Sequence, residues 1–201
     1  MTHERPGDEL LSHRDRKKLQ AKRRIQATAL DLAGSQSYQT ISVESIAERS
    51  GVSASTVYRY FSTKVGIFLW DEYDEAVMVE FRALLGEHDP IEAMNRAVHA
   101  ALADRFHLDE ARALTQLVLI QEVEPLRQSM ASRLDELRMS LAAMVAQHGW
   151  PAFEANVFAG AMISAFNGAF ETWAASGGEE SLLSLFDRAI RLLGAGLDSV
   201  R

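Results

Sequence analysis

Cysteine is absent from the 201 residues. That excludes disulfides, thiolate metal sites and a cysteine nucleophile, and it fits a reducing cytoplasm. No apolar run approaches the ~18 residues of a membrane span, and the N-terminus lacks the apolar core of a signal peptide. Neither membrane insertion nor secretion is expected, and the expected location is the cytoplasm. A Gly-rich phosphate loop and a G-x-S-x-G nucleophile elbow are also missing. The six histidines are scattered, and the single His107/Glu110 pair at i, i+3 reads as a surface or capping pair. No enzyme activity, catalytic residue, metal or cofactor is therefore expected.

What is present is an apolar fraction of 47%, enough for a sizeable core. Its spacing is helical throughout, with no convincing strand, so the expected class is all-α with about nine helices.

The most informative stretch runs from Ser42 to Lys64. Val43, Ile46 and Ala47 share one helical face, with Ser42 as N-cap and Glu44 in the first turn. Gly51 supplies the left-handed residue that ends this helix. Ser53 caps a second short helix over 54–60, with Val57 and Phe61 pointing inward and Ser55, Thr56, Tyr58 and Arg59 outward. Helix, Gly turn, helix is the layout whose second helix enters the DNA major groove, although a generic helical hairpin also contains glycine. Tyr58 has an alternative place, half-buried against the first helix. Thr63 caps the next helix and sets Lys64 in its first turn, where a cation opposes the macrodipole. A phosphate docked on the same helix end would make sense of it; the alternative is an exposed lysine at slight cost.

The net charge of −7 divides unevenly. Residues 1–66 hold 11 Lys/Arg against 7 Asp/Glu, a surplus of +4, and residues 67–201 stand at −11. Basic charge gathers where the motif sits, and the acidic remainder would be repelled by DNA.

The run I-A-E-R-S-G-V-S-A-S-T-V-Y-R-Y-F-S-T-K resembles the DNA-binding signature of the TetR family of transcriptional regulators, over roughly residues 20 to 70. The resemblance implies that Ala54, Ser55, Thr56, Tyr58 and Arg59 face the major groove. It also implies that Ser42, Ser53, Tyr60 and Lys64 bind phosphates. Arg59 could make a bidentate contact to guanine. The basic run Arg14, Arg16, Lys17, Lys18, Lys22, Arg23 and Arg24 reads as a phosphate-contacting arm, with Arg23 and Arg24 nearest the motif. Gly66 departs from the polar residue common there and is expected to loosen the turn.

Expected domains are a disordered tail over 1–12, a helix-turn-helix domain over 13–66, and a helical effector-binding and dimerisation domain over 67–201. In the N-terminal domain, Ile25, Thr28, Ala29 and Leu32 should cover Ile46, Val57 and Phe61. One helix is expected from Lys64 to Leu85, carrying signals from the DNA-binding domain into the acidic part. Asp89-Pro90 starts a helix reaching about His107, Asp109 opens another, and Pro125 begins one running to Gln147. The last two helices are expected over 151–175 and 181–197. On the first of them Gly160, Ser164 and Gly168 line up at i, i+4, i+8, allowing close helix approach. These two helices are expected to form a four-helix homodimer interface, with Leu182, Leu185, Phe186, Ala189 and Leu193 on the second; a tight pair within one chain is the alternative.

Family members bind small, often apolar effectors inside the helical part. Candidate contacts are Trp70, Tyr73, Phe81, Phe106 and Gln116, followed by Ile120, Phe166, Asn167, Phe170 and Trp173. Gln116 and Asn167 stand out because polar groups on inner faces need partners. The region around Val123–Arg127 and the Ala-rich helix with Trp173 are similar to mycofactocin-type regulators, which bind acyl-CoA or fatty-acyl ligands. The implied function is a ligand-responsive repressor, bound to a palindromic DNA operator as a homodimer and released by a small, largely apolar effector such as a fatty acyl group. An activator of the same fold remains open, as does a helical carrier or enzyme with a residual DNA-binding domain.

Overall fold

The computed structural model describes residues 12–102 and 110–196. The expected disordered tail (apart from Ser12), Phe106, and the expected helix boundaries near His107, Asp109 and Leu197 lie outside the described residues. Within them the chain is all-α: ten α-helices, a 3-10 turn at Tyr38–Thr40, and no strand.

The order is α1 (His13–Ala33), α2 (Val43–Ser50), α3 (Ala54–Phe61), α4 (Lys64–Leu69), α5 (Glu72–Leu84), α6 (Pro90–Leu102), α7 (Glu110–Glu122), α8 (Glu124–Gln147), α9 (Ala152–Ala175) and α10 (Leu182–Ala195). Most starts follow from local chemistry. Ser12, Ser42, Ser53 and Thr63 each place a side-chain oxygen on a backbone N–H of the first turn. The Asp89 carboxylate takes the N–H groups of Ile91 and Glu92, with Pro90 at the first helical position. Gly51 ends α2 at φ +69°, a conformation costly for residues with a Cβ.

The chain divides into two compact units. One runs up to Trp70 and includes Ala111–Ser129; the other comprises Asp71–Glu110 and Met130–Arg201. In the first, Ile25, Ala29, Leu32, Ile46, Val57 and Phe61 are buried together as α1 packs on α2 and α4, and α3 on both α2 and α4. In the second, α6 packs against α5 and α10, and α9 against α10. His99 Nε2 and Asp187 Oδ1 meet at 2.7 Å between α6 and α10.

The single helix expected over 64–85 is two helices. Trp70 is extended at ψ 128°, and Asp71 caps α5 by accepting the Tyr73 N–H at 2.7 Å. The carbonyls left open at the end of α4 are taken by side-chain amides. Gln26 Nε2 donates to Ile67 O and Trp70 O, and Gln116 Nε2 donates to Phe68 O and Trp70 O. Two distant glutamines thus satisfy a helix end that would otherwise have to continue or be solvated.

Candidate nucleic-acid interface and effector cavity

The outward side of α3 is polar and open. Ser55, Tyr58 and Arg59 are exposed, Ala54, Thr56 and Tyr60 are half-buried, and Val57 and Phe61 carry the inner side. Tyr58 is 47% exposed. Ser53 Oγ accepts the Thr56 N–H and lies 2.9 Å from the hydroxyls of both Ser55 and Thr56. Ser42 is held in a reciprocal capping box with Ser45. The Arg59 guanidinium carbon lies 5.1 Å from the centre of the Tyr60 ring.

Beside Arg59 and Tyr60 the fold brings up the start of α1. His13, Arg14, Lys17 and Lys18 form a cleft with these two residues. The basic run and Arg59 are about 40 residues apart in sequence, and only the packing of α1 on its neighbours makes them one surface. Arg24 is exposed and Arg23 half-buried. Lys22 is used differently: its ammonium lies 4.3 Å from the Trp70 ring and 5.3 Å from Phe61.

Lys64 departs from expectation. Its ammonium donates to Tyr38 O at 2.7 Å and Ile41 O at 2.8 Å, and sits 3.9 Å from the Tyr38 ring centre. Burial lowers its pKa from the ordinary lysine value. The lysine therefore clamps the 3-10 turn to the start of α4, and two of its three N–H groups are spent on backbone carbonyls. Gly66 departs too. A Cβ there would lie 2.5 Å from Phe61 O, so the turn is tight rather than loose, and Thr63 Oγ1 accepts the Gly66 N–H at 3.0 Å.

In the second unit a cavity opens among α5, α6, α8, α9 and α10. It encloses about 80 Å³, smaller than the ~300–1,000 Å³ of pockets that hold drug-sized ligands. Of the expected contacts, Tyr73, Phe166 and Phe170 line it. Phe186 joins them, its ring 4.7 Å from Phe166 and 5.2 Å from Phe170. The other expected contacts among the described residues are elsewhere. Trp70, Gln116 and Ile120 belong to the first unit, where Gln116 closes the end of α4. Phe81 is buried against Phe158, Trp173 is buried in the core, and Asn167 donates to the exposed Glu171 on its own helix. An aromatic or amide on an inner face is legible in sequence; which inner face borders empty space is not.

The sequence reading also passed over the acidic part of the lining. Asp71 and Asp74 both border the cavity. Arg133 Nη2 donates to Asp74 Oδ2 at 2.8 Å. Asp71 has no such bond in that pair, and its carboxyl is pushed up to about 7, mainly by burial and then by the charge of Asp74.

The expected dimer residues also separate. Leu182, Leu185 and Phe186 are buried within one chain, because α10 lays them on α6 and α9. Ala189 and Leu193 are half-buried. On α9, Ser164 is exposed, and a Cβ at Gly160 or Gly168 would meet nothing within 4 Å. Phe153 and Val157 continue that row toward the start of the helix, 75% and 54% exposed.

Among the described residues no helix is long and apolar enough to cross a membrane, and no His/Cys/Asp/Glu group has the arrangement of a metal site.

Residues 25–69 match the family model described as bacterial regulatory proteins, tetR family, and residues 88–198 match the MftR C-terminal domain. Among solved structures, Thermus thermophilus FadR, a TetR family transcriptional repressor in complex with lauroyl-CoA, is 20% identical with a TM-score of 0.53. The alignment covers 86% of this chain and 92% of that one, and bears on the fold alone. A transcriptional regulator from Rhodococcus sp. Rha1 is 25% identical with a TM-score of 0.46, covering 86% of this chain and 96% of that one. No curated protein gives a significant match. With both its helix-turn-helix and its helical C-terminal part matched, the chain belongs to the TetR family of transcriptional regulators, with a ligand-binding domain of the MftR type.

Proposed function

We propose that the chain is a repressor that binds a palindromic operator as a homodimer and leaves it when a small, largely apolar effector fills the C-terminal cavity. The observation that carries the DNA half is the polar outer face of α3 beside the cleft of His13, Arg14, Lys17 and Lys18. In this reading Ala54, Ser55, Thr56, Tyr58 and Arg59 meet base edges, and the cleft, Arg23, Arg24, Ser42, Ser53 and Tyr60 meet phosphates. Two copies paired through the open side of α9 would set their α3 helices in successive major grooves, about 34–36 Å apart.

The effector half rests on the apolar, aromatic cavity. An effector shifts the protein only by binding the DNA-incompetent state more tightly than the competent one.

A gel-shift series with promoter DNA of the chain's own and adjacent genes tests this reading. Competable binding at low salt, weakened by Arg59→Ala with relaxed base preference by about 1–3 kcal/mol, is the expected result. Absence of competable binding at low salt would remove the DNA assignment. A repressor also silences the bound promoter in a reporter strain; increased expression would show an activator.

A further inference from the structure

We propose that the cavity of the C-terminal unit selects a lipophilic amine, its hydrocarbon body against the apolar wall and its protonated nitrogen beside the Asp71 carboxylate. The inference rests on reading that cavity as the effector site.

The wall supplied by α6, α9 and α10 is apolar: Met94 and Val98, Ile163 and Phe166, Leu182 and Phe186. Among the described residues, charge enters the lining only as Asp71 and Asp74, and no lysine or arginine borders the cavity. The two carboxylates are not equivalent. Asp74 is balanced at 2.8 Å by Arg133, which lies on α8 outside the lining. Asp71 Oδ1 accepts the Tyr73 N–H, and its charged neighbours are Asp74 and Glu72, which oppose its ionisation, and Arg133, which favours it. Asp71 is therefore the less compensated of the two carboxylates at the edge of an apolar chamber, its charge met by the Tyr73 N–H, the start of α5 and Arg133.

A group entering that chamber is sorted by charge. A fatty carboxylate or the phosphates of a coenzyme A head would add negative charge where two carboxylates already stand. An ammonium group would neutralise Asp71 and form a charge-assisted hydrogen bond with it. The aromatic rings of Tyr73, Phe166 and Phe170 also line the cavity, and ring faces favour cations over anions. Because the Asp71 carboxyl is held near 7, the cation must bind the ionised form in competition with a proton. Apparent affinity should then fall as pH drops through that value, by about tenfold between roughly pH 8 and pH 6.

The test uses the purified full chain and three probes of equal hydrocarbon length: octylammonium, 1-octanol and octanoate, with octanoyl-CoA as a fourth. Calorimetric titration is run near pH 8 and near pH 6, with wild type and Asp71→Asn. The expected result is octylammonium binding about tenfold or more tighter than octanoate or octanoyl-CoA near pH 8, and weakening toward pH 6. Asp71→Asn should remove about tenfold of octylammonium affinity and both its pH dependence and charge preference, leaving 1-octanol within about twofold. Octanoate or octanoyl-CoA binding as tightly as octylammonium overturns the proposal. So does an unchanged octylammonium affinity in Asp71→Asn, or the failure of every probe to bind. Octanol binding without an ammonium preference overturns the cation and leaves the effector cavity standing. Octylammonium bound as expected, with operator affinity unchanged, overturns effector release and leaves the amine site standing.

Discussion

Lys64 and Asp71 share one lesson: a charged side chain is defined by what the fold sets beside it. The signature around Lys64 suggests a phosphate contact, whereas its ammonium closes on Tyr38 O and Ile41 O. Hydrogen bonds from a charged donor contribute about 1.5–3 kcal/mol each. Lys64→Met should therefore lower stability by about 2 kcal/mol or more, seen as a lower Tm in thermal denaturation without DNA. A pure phosphate contact would leave that Tm unchanged. Asp71 gives a pH prediction with a definite sign. Its carboxyl titrates at about 7 in the folded chain against an ordinary 3.8. Well below 3.8 it is protonated in both states and exerts no effect. Between the two values the folded chain keeps a proton that the unfolded chain has lost, so stability falls as pH rises and the penalty is complete above 7. Asparagine caps a helix as well as aspartate does, without the charge. Asp71→Asn should thus melt higher than wild type near pH 8, and the gap should close as pH is lowered toward about 4.

At the scale of the element, caps and stops were the most legible features. Ser42, Gly51, Ser53, Thr63 and Asp89-Pro90 act through neighbours three or four residues away, and local chemistry suffices to place them. The break between α4 and α5 was not legible. Its apolar face runs on through Trp70 and Tyr73, and the amides that make a stop tolerable come from Gln26 and Gln116, more than 40 residues away in either direction. Gly66 was misjudged for a similar reason. What requires it is the Phe61 carbonyl across a turn, at 2.5 Å from any Cβ. Gly66→Ala should destabilise the first unit by about 1–3 kcal/mol although alanine is the better helix former. Urea unfolding followed by tryptophan fluorescence measures it; a neutral or stabilising effect would contradict the close approach.

For the whole molecule, the decisive surface is the open face of α9. The proposed pairing uses Phe153, Val157, Gly160, Ser164 and Gly168, which follow one another along one side of α9. Exposed apolar residues in a row mark an interaction surface more often than chance. Because a Cβ at Gly168 meets nothing in the single chain, Gly168→Leu should leave the fold of each copy intact while blocking close approach of a second. Sedimentation should then report monomer, circular dichroism should be unchanged, and operator affinity should fall by about tenfold or more. Unaltered dimers would place the pairing on another surface. The row of small residues was readable; that Leu182, Leu185 and Phe186 are consumed inside their own chain was not, since an apolar helix face looks alike whether its partner is itself or a copy.

The amino-acid sequence alone determined the all-α class, the helix-turn-helix with its inner and outer sides, and the concentration of basic charge around it. Those features depend on spacings of a few residues and on totals. Only the tertiary structure decided which lysine is a clamp, which aromatics border a cavity, and that Asp71 stands in it with a carboxyl poised near neutrality. Such outcomes depend on burial and on partners distant in the chain, and the field around an ionisable group exists only once the helices have packed.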